Sequence, residues 1–284
     1  MQEKKTSIAI PASVVSDTPH LREKTSKIGL IGRAAAIFRV DEIIIYPDEP
    51  KIDQTADMSL IALLLSYMET PQYLRKRLFK LQPELQFAGI LPPLRTPHHP
   101  LNHQMKKLKV GEYREGIVLS QHNEDVLVDI GVEQPAIIQN KQLPISQRIS
   151  VKIQKIAKQI QIELANCDEI PDFWGYSVTE ERQPFGKMLR SRNFSLTIAT
   201  SRYGAPFSQF AEEISERWRS AKTVLVASGA PNRGLREIAR LEGFPLEGLV
   251  DFVVNTIPMQ GTETVRTEEA LSASLAVLNV FIHH

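Results

Sequence analysis

The residues best suited to chemistry lie in the stretch Ile257-Pro258-Met259-Gln260-Gly261-Thr262-Glu263-Thr264-Val265-Arg266. They follow an apolar run, Val250–Asn255, that reads as a buried strand. In open α/β sheets, ligands bind where loops leave the carboxyl ends of such strands. Gly261 has no Cβ and lets backbone approach a ligand closely. Thr262, Thr264 and Arg266 offer hydroxyls and a cation to either a cofactor or a nucleic acid. Glu263 offers a carboxylate able to accept a proton, with an exposed loop acid as the equal alternative. A second loop, Ser228-Gly229-Ala230-Pro231-Asn232-Arg233-Gly234, follows the apolar Thr223–Ala227. Gly229 and Gly234 would let its backbone N–H groups face a ligand, although alone it also reads as an ordinary strand-to-helix turn. Arg33 keeps its charge at any working pH and presents a planar fork suited to phosphate or to developing negative charge.

The elements that position these groups alternate. Thr6–Pro11 and Ile43–Tyr46 are apolar strands, and Leu21–Phe38 has helical spacing between them. Asp57–Met68 reads as a helix capped near Asp57, and Pro71–Leu81 as a basic helical stretch. Further on, Phe194–Thr200, Thr223–Ala227 and Val250–Asn255 read as strands, and Gln209–Trp218, Leu235–Leu241 and Thr267–Val280 as helices. Such alternation implies a parallel sheet covered on both faces. The last helix carries Ala270, Ser272, Ala273, Ser274 and Ala276, small enough to pack tightly on a loop or a second subunit.

The pattern breaks between these two sets. Pro92, Pro93, Pro97 and Pro100 mark a boundary. Five short strand signals follow at Tyr113–Ser120, Asp125–Ile130, Gln134–Ile138, Arg148–Ile156 and Gln159–Leu164. Five strands in so short a span fit a small Greek-key barrel of OB type, with a β-sandwich fragment as the competing reading. Cys167–Phe185 reads as the exit linker. The expected organisation is a discontinuous α/β domain over 1–93 and 173–284, with a barrel inserted at 94–172.

Charge narrows the function. The net charge is +1, yet Tyr73–Lys109 holds eight basic residues against the single acid Glu84. Gln134–Ile162 holds five basic residues and no acid. Clustered basic charge suits a phosphate-bearing partner, and a solvated charged face is the alternative. Lys106, Lys107, Lys109, Arg148, Lys152 and Lys155 are the candidate RNA contacts. Tyr113 fits either base stacking or core packing, and Trp174 and Trp218 read as packing residues. His98, His99 and His103 lie in the proline-rich linker without Cys or acid at ligand spacing, so no metal is expected. Arg192 and Asn193 receive no role. One cysteine, Cys167, excludes an internal disulfide and suits a reducing cytoplasm. No apolar run approaches the roughly 20 residues that span a bilayer. Met1–Lys5 lacks a signal-peptide core, and the closing His283–His284 fit native residues or a tag remnant.

Ile257–Gly261 followed by a small-residue helix resembles the third motif of the SPOUT superfamily of RNA methyltransferases, usually Ile-Pro-Met-x-Gly. Ser228–Gly234 resembles that family's preceding glycine loop. Gly29–Ile43, with Arg33 inside it, resembles the first motif of its ribose methyltransferase branch. The asparagine that usually opens this motif is missing, and Lys27 and Ile28 stand near its place. The three occur in the family's order, and the insertion resembles the barrel of one SPOUT subgroup of RNA methyltransferases. The resemblance implies a C-terminal trefoil knot, S-adenosylmethionine as cofactor, and a homodimer whose subunits complete each other's sites. It implies cofactor contacts at Ser228, Gly229, Ala230, Asn255, Ile257, Pro258, Gly261, Thr262 and Thr264. Arg33 and Glu263 become the catalytic candidates. The implied reaction is methyl transfer to ribosomal or transfer RNA, at a ribose 2′-oxygen or a base nitrogen. A non-catalytic RNA-binding or assembly factor and a protein methyltransferase are the rival readings.

Overall fold

A computed structural model describes residues 4–282. Met1–Glu3 and His283–His284 fall outside the described residues, and the readings of the two termini with them. In chain order the elements are β1 (Lys5–Pro11), α1 (Leu21–Ile37), β2 (Glu42–Tyr46), α2 (Thr55–Glu69), α3 (Gln72–Leu78), β3 (Tyr113–His122), β4 (Asp125–Asp129), β5 (Ala136–Ile138), β6 (Arg148–Ile156) and β7 (Ile160–Leu164). There follow β8 (Ser177–Glu180), α4 (Phe185–Ser191), β9 (Leu196–Pro206), α5 (Ala211–Ser220), β10 (Thr223–Ala227), α6 (Leu235–Leu241), β11 (Phe252–Asn255) and α7 (Thr267–Ile282). The chain divides into two compact units, one of residues 1–68, 83–93 and 176–284, the other of 69–82 and 94–175.

The first unit is a six-stranded sheet in the order β11-β9-β10-β1-β2-β8, with every pairing parallel. Ile8, Ile43, Ile44, Ile45, Leu225 and Val226 are wholly buried in its central strands. Near-continuous apolar runs of this kind are what a sheet covered on both faces requires. One face packs Phe185, Met188, Leu235, Ile238 and Ala239 of α4 and α6 onto Ala9, Ile44 and Leu225. On α7, small residues allow packing against both α1 and α5.

Two parts of this sheet were not expected. β8 lies in the segment read as a linker and pairs with β2 from Glu42↔Ser177 to Ile45↔Glu180. Its side chains are exposed or half-buried, as at an edge, so no apolar run announces it. β9 continues past Thr200 to Pro206. Its pairing with β11 jumps from Val253↔Ala199 to Val254↔Ala205, which bulges Thr200–Gly204 out of the ladder.

The second unit is a closed barrel in the order β3-β4-β5-β7-β6. β5 and β7 pair in parallel, and the other pairs are antiparallel. This is OB topology. Alternating residues such as Val126, Val128, Ile149, Val151 and Ile153 fill the interior. Glu69–Gln82, with α3, belongs to this unit although the sequence pattern groups it with the α/β domain. Tyr73 Oη donates to the Glu115 carbonyl at 2.8 Å, and Arg77 pairs with Asp129 at 2.8 Å.

Candidate active site

Three loops at the carboxyl ends of β9, β10 and β11 enclose a cleft of about 520 Å³. The β10 loop is held by residues of β1 and β2. Ser228 N–H donates to the Ala9 carbonyl at 3.0 Å. The buried Tyr46 hydroxyl donates to the Ser228 carbonyl at 2.8 Å. Burial pushes the Tyr46 phenol well above its ordinary range, aided by the nearby Asp48 and Glu242 carboxylates, so it stays a donor. Ala230 and Arg233 exchange backbone hydrogen bonds, closing a tight turn. A Cβ on Gly229 would stand 3.0 Å from both Arg233 O and Leu235 N, so a side chain there would require the backbone of the turn to shift.

The β11 loop is shaped by its own polar groups. Asn255 Oδ1 accepts from Ile257 N–H at 2.9 Å, and its Nδ2 donates to the Arg202 carbonyl at 3.0 Å. Thr256 and the buried Ser274 share a hydroxyl hydrogen bond of 2.7 Å, tying the loop to α7. Gln260 Nε2 donates to the Thr262 and Glu263 carbonyls. Thr267 Oγ1 donates to the Gly229 carbonyl at 3.3 Å, so α7 starts against the β10 loop. Met259 is fully exposed, with a left-handed φ of 56°.

The bulge of β9 supplies the third wall, with Thr200, Ser201, Arg202 and Tyr203 lining the cleft. Arg202 donates to the Glu263 carbonyl at 2.7 Å, and Arg236 donates to the Tyr203 carbonyl at 2.8 Å. Sequence reasoning missed all four residues. Gly204 was the available signal, because its missing Cβ would stand 2.6 Å from the Val254 carbonyl carbon.

The cleft brings together Ser228, Gly229, Ala230, Asn255, Ile257 and Thr264. Thr262 and Glu263 line an adjoining recess with Arg202 and Tyr203. Pro258 and Gly261 are exposed, and nothing lies within 4 Å of where a Gly261 Cβ would be. Arg33 lies on α1 outside the cleft lining, and its guanidinium donates to the Pro93 carbonyl at 2.9 Å. Leu30 and Ile37 flank it at helical spacing on the same face, 50% and 55% exposed. Lys27 is buried and pairs with Asp17 at 2.7 Å and with Glu268 at 3.6 Å.

In the barrel unit, Lys106, Lys107, Lys109 and Lys155 are exposed, and Lys152 is half-buried. Arg148 has a different setting. It reaches Glu69 at 2.6 Å and Glu115 at 2.6 Å, inside a cluster with His98 and Trp174. Burial would raise the Glu69 carboxyl, but hydrogen bonds from His98 and Arg148 outweigh it and bring it down to about 2. Burial and the neighbouring His98 lower His99 to about 4. His103 is exposed and touches the Gly131 carbonyl.

A parallel sheet whose C-terminal loops frame one cleft, with the last helix starting against the β10 loop and a separate closed barrel of OB topology, is the arrangement that the resemblance to SPOUT methyltransferases implies. Residues 5–278 match the family described as "Putative RNA methyltransferase", and the chain belongs to it. An uncharacterized protein of Halobacterium salinarum is 34% identical over 96% of this chain and 98% of its own length. The 28S rRNA (uridine-N(3))-methyltransferase of Homo sapiens is 31% identical over 96% of this chain and 77% of its own length. Its Mus musculus counterpart of the same name is 30% identical, with 96% and 75% covered. Among the described residues, no helix is long and apolar enough to cross a membrane.

Proposed function

We propose that the protein transfers a methyl group from S-adenosylmethionine to N3 of a uridine in ribosomal RNA. The three-loop cleft is the observation that carries this reading, and the names of the human and mouse relatives direct it to the base nitrogen. The asparagine that usually opens the ribose branch's first motif is missing here, with the buried, ion-paired Lys27 standing near its place, and this points the same way.

The cleft suits the cofactor. Its volume of about 520 Å³ falls in the ordinary range for cofactor pockets, roughly 300–1,000 Å³. Ser228, Gly229 and Ala230 line one wall, fixed by their own backbone hydrogen bonds, and Asn255, Ile257 and Thr264 line the facing wall, while Pro258, Gly261 and Thr262 shape the loop outside it. S-adenosylmethionine supplies an activated methyl group on a sulfonium. The remaining task for the chain is to align a nucleophile with it.

Uridine N3 must lose its proton before it can accept a methyl group. Glu263 is the proton acceptor in this reading, exposed beside Arg202 and Tyr203 at the edge of the cleft. Arg33 is a clamp for RNA phosphate, brought to the cleft by a second copy of the chain. The exposed Leu30 and Ile37 around it support such a dimer face, together with Val280 and Phe281 on the adjoining helix, 53% and 45% exposed. The basic barrel holds the RNA, and we place the reaction in the cytoplasm, where the lone Cys167 stays reduced.

The test is incubation of the purified protein with methyl-labelled S-adenosylmethionine and ribosomal RNA from cells lacking it. Nuclease digestion and mass spectrometry should then find labelled 3-methyluridine. Label on a ribose 2′-oxygen, or on protein instead of RNA, would overturn the assignment.

A further inference from the structure

OB barrels commonly bind nucleic acids across their second and third strands, which here are β4 and β5. Their outward residues are Asp125, Leu127, Asp129 and Ile137, alternating with the buried Val126, Val128, Ala136 and Ile138. Asp129 is already paired with Arg77. Two carboxylates and two aliphatic side chains are a poor match for phosphate.

The opposite side of the barrel differs. Along β6, Arg148, Ser150 and Lys152 alternate with the buried Ile149, Val151 and Ile153. The first two are covered, because Arg148 is bound by Glu69 and Glu115, and Ser150 accepts from the Trp174 indole at 3.1 Å. From Lys152 onward the strand is open. Tyr113 lies opposite Lys152 in the β3–β6 register. The Lys152 ammonium sits 5.4 Å from the centre of the half-buried Tyr113 ring, which meets Trp174 edge-on at 6.2 Å.

Basic residues gather at this end for a structural reason. Gly111 N–H donates to the Ile153 carbonyl, and Ile153 N–H donates to the Glu112 carbonyl. This continues the β3–β6 pairing to Gly111 and Ile153, each two residues from a lysine, Lys109 and Lys155. Leu108 and Met105 pack on the barrel core, anchoring the turn that carries Lys106 and Lys107. Among the described residues, none of these five lysines enters an ion pair, whereas Arg77, Arg114 and Arg148 all do. Of the nearby acids, Glu112 is taken by Arg114, and Glu163 faces Lys152 across the β6–β7 pairing.

We infer that a single-stranded RNA segment runs along the β6 rim of the barrel, with its phosphates on these lysines and one base stacked on Tyr113. The inference rests on the reading of RNA as the substrate and adds the face it occupies. Lysines outside any ion pair, beside a ring fixed edge-on by a second aromatic, provide the backbone groove and stacking platform that single strands use. Arg148 has no part in it, since its guanidinium is already bound within the chain.

Fluorescence anisotropy of the full-length protein with a labelled 20-nucleotide single-stranded RNA tests the inference, with circular dichroism to check folding. Lys152→Gln combined with Lys155→Gln should weaken binding about tenfold and flatten the salt dependence by a slope of roughly 1.4, two contacts' worth for single strands. Tyr113→Ala should weaken binding at least about fivefold, while Tyr113→Phe, which keeps the ring, stays within about twofold. Leu127→Ala on the other face should bind normally. If the wild-type protein binds RNA and the rim variants bind equally well, the rim is wrong while RNA remains the substrate. If Leu127→Ala alone loses binding, the RNA lies on β4 and β5. If the wild-type protein binds polyglutamate but not RNA, both the rim assignment and the RNA reading fall.

Discussion

Glu69, His98, His99, Arg148 and Gly175 form a buried polar cluster in the barrel unit, and acid should weaken it. Glu69 falls from its ordinary 4.5 to about 2. Its stabilisation is full above pH 4.5 and is lost as pH falls toward 2, on the order of 3 kcal/mol in all. His99 falls from 6.5 to about 4 because burial favours its neutral form, so its contribution is full above pH 6.5 and is lost as pH falls through 4. Thermal unfolding should therefore show stability declining from pH 6.5 downward, and His99→Gln should flatten the slope between pH 6.5 and 4. An unchanged slope in that variant would remove His99 from the account. Gly175 has a φ of 92°, and a Cβ there would stand 2.5 Å from Glu69 Oε1. Gly175→Ala should lower stability by about 3 kcal/mol in denaturant titration. This cluster could not be read from the sequence, because its members come from segments far apart and only folding pairs their charges. Arg148 shows the consequence: counted by composition it is one more cation for RNA, whereas in the fold its guanidinium is bound by Glu69 and Glu115. Glycines at loop ends were more legible, since a strand followed by Gly229 is a local pattern.

At the scale of elements, the cleft depends on the β9 bulge. Five residues, Thr200–Gly204, are extruded because β11 pairs Ala199 and Ala205 with consecutive partners. Gly204 permits the close passage of the two backbones. Gly204→Val should open the bulge, weaken cofactor binding at least about tenfold and lower the unfolding temperature by several degrees. Normal cofactor affinity in a folded Gly204→Val protein would mean that this wall is dispensable. The central strands were legible because burial on both faces demands unbroken apolar runs, as in Ile43–Tyr46 and Thr223–Ala227. The barrel strands were legible through alternation. β8 was not, since an edge strand of four polar-leaning residues between Pro171 and Pro184 leaves no periodic trace. The bulge was not, because its ladder position is fixed by a partner strand some fifty residues away. Glu69–Gln82 was grouped with the wrong unit for a similar reason: Tyr73 and Arg77 are bound by Glu115 and Asp129, and no local signal reports those contacts.

At the scale of the whole molecule, Arg33 is not among the residues lining its own chain's cleft, and the proposed dimer would bring the two together. Arg33→Ala and Gly229→Val should each be inactive alone for different reasons. Mixed under conditions that exchange subunits, they should regain about a quarter of wild-type methyl transfer, because half the dimers are mixed and each has one intact composite site. No recovery despite exchange, tracked by differently tagged subunits, would place Arg33 and the cofactor in one subunit's site. The central claim is that the cleft holds the methyl donor, and isothermal calorimetry with S-adenosylmethionine tests it most directly. The wild-type protein should bind about one equivalent per chain. Gly229→Val should lose at least about tenfold in affinity, because its side chain must displace Arg233 and Leu235 backbone. Gly261→Val, where the structure leaves open space, should bind within a few-fold of wild type. Absence of binding to the wild-type protein, or equal affinity in a folded Gly229→Val variant, would contradict the account.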